Sequence, residues 1–122
     1  MSTGTATGSR PRHLLVATQG PWSGPGAARF LADAAALAKT RTGVTGPAVT
    51  VVLMQDATAF AAAGGSAELV AVLDAGAEVW VDRFSAAARA LADMALPEGA
   101  HWADVDVVAE QVLAPGVRVV VH

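Results

Sequence analysis

The sequence predicts a single α/β domain, a doubly wound three-layer α/β/α sandwich with four to five mostly parallel strands. Four short apolar runs are continuous rather than alternating, as in strands that are buried on both faces of a sheet. Segments with helical periodicity separate these runs, and strands that alternate with helices form parallel sheets. A chain of 122 residues is long enough for one such core but too short for two.

The composition is that of a compact globule, and it excludes several classes of function. Apolar residues make up 53% of the sequence and charged residues 16%, which is typical of a folded domain. The net charge is −3 and the eight Lys and Arg residues are scattered, so we expect no nucleic-acid partner. Cysteine is absent, which excludes disulfides, thiolate metal sites and cysteine nucleophiles on this chain.

The N-terminal residues 1–12 are small and polar, and they predict a disordered tail before an ordered domain at 13–122. They contain no apolar segment of the kind that a secretory signal requires. No apolar run approaches the length of a membrane span. We therefore expect a cytoplasmic protein without a membrane partner.

The first half of the domain is predicted to form a strand, a helix and a second strand. The run HLLVAT at 13–18 predicts the first strand, and the periodicity of 27–40 predicts the helix. Residues 41–48 are expected to form a surface turn before the second strand at 49–54. One face of the helix carries Phe30, Leu31, Ala34, Ala35 and Ala38.

The middle of the chain is predicted to form a second helix and a third strand. Residues 57–65 predict only a weak helix or a loop. The segment 66–76 begins with the capping residue Ser66 and stops at a glycine, which is typical of a complete helix. The run EVWVD at 78–82 predicts the third strand.

The last third of the chain is predicted to contain two helices and a final strand at 117–121. Ser85 is expected to cap a helix at 85–95, because it has neither a nearby base nor the sequence context of a nucleophile. A further helix is predicted at 103–116. Its inward face is expected to carry Val105, Val108, Ala109 and Val112.

Polar residues follow three of the strands, where parallel sheets usually bind ligands. Because the carboxyl ends of parallel strands share one edge of the sheet, we expect these residues to lie near one another. The candidate ligand-binding residues are Gln55, Asp56, Asp82, Arg83, Ser85 and Arg89, with Gln19, Gly20, Trp22 and Ser23 in the loop after the first strand.

No sequence motif identifies a cofactor or a metal. The glycines of the first loop fit neither a phosphate-binding loop nor a dinucleotide-binding fingerprint, because the spacing differs and no lysine follows. They are interpreted as shaping a strand-to-helix turn. His13, His101 and His122 show no spacing typical of a metal site. We therefore expect no cofactor and no metal.

The charged candidates each have two interpretations. Asp82 can be a general base or ligand contact, or a structural anion at a helix terminus, and the structural interpretation is favoured. Arg89 can bind an anion, or it can be a solvated residue one turn from Asp93. The sequence favours the solvated interpretation.

From His13 to His122, the chain resembles the DsrE/DsrF-like sulfur-relay family. The resemblance rests on HLLVATQGPWSGPGAARFLADAAALA, on VTVVLMQDATAF, and on LDAGAEVWVDRFSAAARAL with the apolar strand at the end. It implies a DsrE/F-like domain with a topology related to that of flavodoxin.

Sulfur-carrying members of that family resemble V-x-V-C-x-x-C-x-x-x-R-G at the turn after the third strand. In this sequence the first cysteine position falls on Asp82 and the alternate one on Ser85. Arg89 matches the arginine of the family, and Ala90 stands where glycine is common. Neither an aspartate nor a serine can carry a persulfide, which depends on an acidic, polarizable thiol.

The resemblance therefore implies a non-catalytic subunit that assembles with other chains or binds a small ligand. Family members form trimers and hexamers, so we expect self-association or binding to a cysteine-bearing paralogue. Trp22, Trp80 and Trp102 are the aromatic candidates for such an interface.

Two alternatives remain open at this point. The first is an enzyme or sensor that binds a small anion or nucleotide and uses Asp82 as an acid–base group. The second is a cysteine-less subunit of a sulfurtransferase complex, in which a partner supplies the cysteine. The missing thiol favours a protein that is not an enzyme by itself.

Overall fold

Five strands form one parallel sheet in the computed structural model, which describes residues 12–41 and 48–122. The strands are β1 (Arg12–Ala17), β2 (Val49–Leu53), β3 (Glu78–Asp82), β4 (Ala100–Ala103) and β5 (Val117–Val121). Their order in the sheet is β4-β3-β2-β1-β5, and every neighbouring pair is parallel. The predicted tail, apart from Arg12 in β1, and residues 42–47 of the turn predicted at 41–48 lie outside the described residues.

Helices connect successive strands, as the sequence predicts. The α-helices are α1 (Pro25–Thr40), α2 (Ala67–Asp74), α3 (Arg83–Ala88) and α4 (Val105–Val112), and 3₁₀ segments lie at Pro21–Ser23 and Gln55–Gly64. In the described part of the chain, no single helix is long and apolar enough to cross a membrane. Only the bent pair of Gln55–Gly64 and α2 together reaches that length, and its members meet at 84°.

The middle strand β2 fixes the layered architecture, because all five of its residues are buried. One face of the sheet packs against α1, α2 and the Gln55–Gly64 segment, through a large core centred on Leu31, Val51 and Phe60. The other face packs against α4 through a smaller core around Val52 and Val108. The predicted three-layer sandwich is therefore confirmed.

Right-handed crossovers explain which face of the sheet each helix covers. The chain steps from β1 to β4 in one direction and then returns past the whole sheet to place β5 beside β1. A right-handed return has to cross the opposite face, which is where α4 lies. Flavodoxin has the strand order 2-1-3-4-5, so this sheet shares with it the parallel strands and the two helical layers but has a different order.

The apolar runs of the sequence predict four of the five strands but not β4. This strand is only four residues long, and its residues AHWA form no apolar run: His101 is exposed and only Ala103 is buried. Ala103, which was expected to begin a helix, is instead the last residue of β4 and pairs with Asp82.

The helix predicted at 66–76 is confirmed as α2. Ser66 is its N-cap, and the Ser66 hydroxyl accepts a hydrogen bond of 3.2 Å from the backbone N–H of Leu69. Gly76 follows the helix with a φ of +93°, a left-handed conformation that favours glycine. The capping pattern in the sequence was therefore sufficient to place both ends of this helix.

The helices expected at 85–95 and 103–116 are shorter than predicted. Helix α3 ends at Ala88, because Ala90 takes a φ of +60° and the N–H of Leu91 bonds back to the carbonyl of Ala86. Helix α4 buries only Val108 of the four residues expected to face inward. Val105, Ala109 and Val112 are exposed.

The large core predicts a strong contrast between two leucines. Leu31 is fully buried, whereas Leu113 is 82% exposed. Leu31→Ala should lower the free energy of unfolding by about 3 kcal/mol, because it leaves a cavity under the sheet. Leu113→Ala should change it by less than about 0.5 kcal/mol. Urea denaturation of both variants checks this, and equal losses would contradict the described core.

Candidate functional site at the carboxyl edge of the sheet

Asp82 is the buried N-cap of α3 at the carboxyl end of β3. Its Oδ2 accepts hydrogen bonds from the Ser85 backbone N–H at 2.9 Å and from the Ser85 hydroxyl at 2.5 Å. Asp82 is 2% exposed and Ser85 is 5% exposed. The expectation that Ser85 caps the helix is thus wrong, because Asp82 starts the helix three residues earlier and Ser85 lies in the first turn.

The second oxygen of the same carboxylate, Asp82 Oδ1, is buried and has no hydrogen-bond partner among the described residues. A carboxylate oxygen accepts hydrogen bonds readily, and buried polar atoms in native proteins are nearly always paired. Asp82 therefore caps α3 through Oδ2, and its second acceptor atom is unused among the described residues.

Arg89 joins two of the segments that follow the strands. Its Nε donates to Asp56 Oδ1 at 2.8 Å, and its Nη1 donates to the backbone carbonyl of Ser85 at 3.1 Å. The side chain of Arg89 is 33% exposed and that of Asp56 is 45% exposed. Arg89 thus binds Asp56 across the carboxyl edge, rather than serving as a solvated residue beside Asp93.

Arg83 lies on the other side of β3 and contacts residues from β4 and the turn after it. Its Nε donates to Asp104 Oδ1 at 3.3 Å, and its guanidinium lies 5.5 Å from the centroid of the Trp102 ring. Both charged side chains are more than half exposed, so the ion pair contributes little to stability.

The loop after β1 is shaped by a contact between Trp22 and Gly20. A Cβ atom at Gly20 would lie 2.8 Å from the Trp22 ring, so any other residue there would require this exposed ring to move. Trp22 itself is 66% exposed, and both Gln19 and Ser23 are exposed beside it. The Ser23 N–H bonds to the Gly20 carbonyl at 3.0 Å and closes the turn. Glycine therefore shapes this loop, as the sequence analysis inferred.

The structure brings some of the predicted site residues together and separates others. Asp56, Arg89, Ser85 and Asp82 form one connected chain of hydrogen bonds. The exposed Gln55, which has a φ of +52°, begins the Gln55–Gly64 segment that packs against both Pro21–Ser23 and α3. Arg83 points instead toward Asp104. The candidates thus share one edge of the sheet without converging on one point.

Two residues of this edge were missed from the sequence. Asp104 binds Arg83 but was read as part of a helix, and Phe84 is 78% exposed although it is aromatic. Phe84 lies directly between the candidates Arg83 and Ser85, and a helix period of about 3.6 residues places it away from the buried Ser85. That period was the signal from which its exposure could have been inferred.

The histidines lie apart, and no group of three His, Asp or Glu side chains among the described residues is placed to hold a metal ion. The His122 ring stacks on Phe30 at a centroid distance of 5.2 Å, at the end of β5. His13 lies near the amino end of β1. Burial, and then the nearby Arg41 and Arg118, lower the pKa of His13 below its ordinary value.

A cavity of about 500 Å³ lies at the opposite, amino edge of the sheet. It lies between the end of α2 and the loop before β4, with Leu73, Asp74, Pro97 and Glu98 in its walls. None of the predicted site residues lines it. This cavity therefore does not contribute to the carboxyl-edge site.

The parallel sheet, its strand order and its helical layers define the class of protein as one with a DsrE/DsrF-like fold. The YchN protein from E. coli is a solved member of that fold class, and its crystal structure aligns with 90% of this chain and 99% of its own. The TM-score is 0.72 and the sequence identity 17%, so the likeness concerns the fold alone. No family profile and no curated protein matches this sequence.

The buried cap at Asp82 predicts a specific loss of stability. Asp82→Ala removes the cap and leaves the Ser85 hydroxyl buried without its acceptor, which should lower the free energy of unfolding by about 2 kcal/mol. Asp104→Ala is the matched control, because Asp104 is also an N-cap but makes no side-chain capping bond. It should cost less than about 0.5 kcal/mol. Equal losses in urea denaturation would contradict the capping role.

Proposed function

We propose that this chain is a non-catalytic subunit with a DsrE-like fold, which assembles with other chains and does not itself transfer sulfur. One observation carries the proposal. At the position where the family resemblance requires the sulfur-carrying thiol, the chain has Asp82, and the Asp82 carboxylate caps α3 with two hydrogen bonds from Ser85. The side chain at the position of the nucleophile is therefore a helix cap.

The charged side chains near Asp82 also form ion pairs. Arg89 binds Asp56, and Arg83 binds Asp104. A catalytic site needs groups that are free to act on a substrate, whereas these side chains are paired with one another between the segments that follow β2, β3 and β4. Their arrangement supports a structural role for this edge.

The surface of the same edge carries exposed aromatic residues suited to a protein contact. Trp22 is 66% exposed and Phe84 is 78% exposed, and each lies on a segment that packs against Gln55–Gly64. Exposed aromatics of this kind are common anchors in interfaces. Trp80 and Trp102 are half-buried against the two cores, so Trp22 is the tryptophan best placed for an interface.

A second candidate function is supported by the unpartnered Asp82 Oδ1. A buried acceptor without a donor can receive a hydrogen bond from a small ligand or exchange a proton with it. In this candidate the chain is a sensor or enzyme for a small anion or nucleotide, with Asp82 as the contacting group. Binding should then be lost in Asp82→Asn.

Native mass spectrometry of the untagged protein from its own cells tests the proposed function. We expect a mass that is a whole multiple of the chain, or a complex with a cysteine-bearing polypeptide. The second result would make this chain the cysteine-less subunit of a sulfurtransferase. A monomer that carries an additional small mass would favour the ligand-binding candidate. A bare monomer at micromolar concentration would contradict assembly.

A further inference from the structure

The two edges of the sheet differ in how well they are protected. At one edge, β4 is only four residues long and follows Pro97 and Gly99. At the other edge, β5 is VRVVV, with no proline, Arg118 as its one charged residue and four of its five residues exposed. Native proteins protect edge strands with charge, proline or short length. A strand such as β5 is therefore expected to have a partner.

The outer side of β5 presents backbone N–H and C=O groups that can pair with another strand. The Arg12 N–H bonds to the Gly116 carbonyl, and the His122 N–H bonds to the Val16 carbonyl. In a parallel ladder the residues that face the neighbouring strand alternate, so the even-numbered residues of β5 bond to β1. The N–H and C=O groups of Val117, Val119 and Val121 consequently point away from β1, along the outer side of the sheet.

We propose that β5 pairs antiparallel with β5 of a second copy of this chain, about a twofold axis at Val119. Val119 then faces its own counterpart, and Val117 faces Val121 of the other copy. Three such pairs form between the copies. Each exchanges two backbone hydrogen bonds, which gives about six in total. The two sheets join into one continuous sheet of ten strands, since each copy contributes five.

The side chains of β5 fit this register without a conflict of charge. Arg118 is the one charged residue of the strand, and it falls opposite Val120 of the other copy rather than opposite the second Arg118. Val117, Val119 and Val121 lie on the face of the sheet that packs against α4, as their partners in β1 do. Directly opposed valines on one face stabilise an antiparallel pair.

The end of α4 extends the apolar surface beside this strand. Leu113, directly after α4, is 82% exposed, and Val112 is 39% exposed. A twofold axis perpendicular to the sheet places α4 of both copies on the same face of the joined sheet. The exposed ends of these helices then flank the line along which the two β5 strands meet.

A second copy is the occupant that these features favour, because a twofold contact between identical strands closes on itself. A head-to-tail contact would leave further edges open and build a filament. The inference rests on the proposed assembly and makes it more specific. A twofold contact produces dimers, or hexamers that combine it with a threefold contact, and never an isolated trimer.

Sedimentation equilibrium of the full chain tests the pairing with two matched substitutions. Val119→Lys places two ammonium groups opposite each other at the axis and should raise the dissociation constant at least about tenfold. Val70→Lys is the control, because Val70 is 39% exposed, close to the 36% of Val119, but lies on α2. It should associate as the unchanged protein does.

Val119→Pro provides a second test that does not depend on added charge. The Val119 N–H points away from β1, so proline there removes the contact between copies and spares the β1–β5 ladder. Circular dichroism of each variant establishes that it is folded. We expect both Val119 variants to be folded and dissociated.

Each result of this experiment has a definite meaning. An unchanged protein that is dimeric or hexameric, with dissociation only in the Val119 variants, supports the pairing. A trimer, or variants that associate as the unchanged protein does, would overturn the β5 contact and leave the proposed assembly intact. A chain that stays monomeric at micromolar concentration would overturn both proposals.

Discussion

The structure depends on one requirement, which is that a parallel sheet has to be covered on both faces and paired along its edges. At β2 the requirement is met completely, because all five residues are buried. Because all strands are parallel, the connection after each strand begins at the carboxyl edge. Asp82 and Arg89 contact neighbouring segments at this edge. At β5 the requirement is not met by the described residues, because four residues of the strand are exposed. The same physical rule that explains the core therefore predicts a partner for that edge.

The carboxyl edge has the architecture of a ligand site, but its polar side chains bind other parts of the same chain. In open α/β sheets, ligands bind where successive connections leave on opposite faces. Here that point lies between β3 and β4, since the connection after β3 joins the α1 side and α4 covers the other face. Asp82 and Arg83 lie at this point, yet Asp82 caps α3 and Arg83 binds Asp104. The groups that could act on a substrate are thus bonded to other groups of the chain, while the unpartnered Asp82 Oδ1 is the exception among the described residues.

Much of this fold could be predicted from the sequence, because its strongest signals are local. The strands at 49–54 and 78–82 are predicted from continuous apolar runs, and the caps of α2 from single residues such as Ser66. Strand β4 was missed because its residues AHWA carry no apolar run, and their strand conformation comes from pairing with β3. Helix α3 was placed too late because Asp82 looked like the end of a strand, and it serves as both the strand end and the cap. The pairing of Arg89 with Asp56, across 33 positions of sequence, depends on tertiary packing that no local pattern records.

Residue-resolved amide hydrogen exchange at two protein concentrations tests the central claim of assembly through β5 most directly. The N–H groups of Arg118 and Val120 bond to β1 at any concentration, so they provide an internal reference. The account predicts that the amides of Val117, Val119 and Val121 exchange fast in dilute protein and become protected as concentration rises. Fast exchange at both concentrations would contradict the contact between copies. Protection that is the same in a dilute monomer would contradict it as well, because another part of the same chain would then cover the strand.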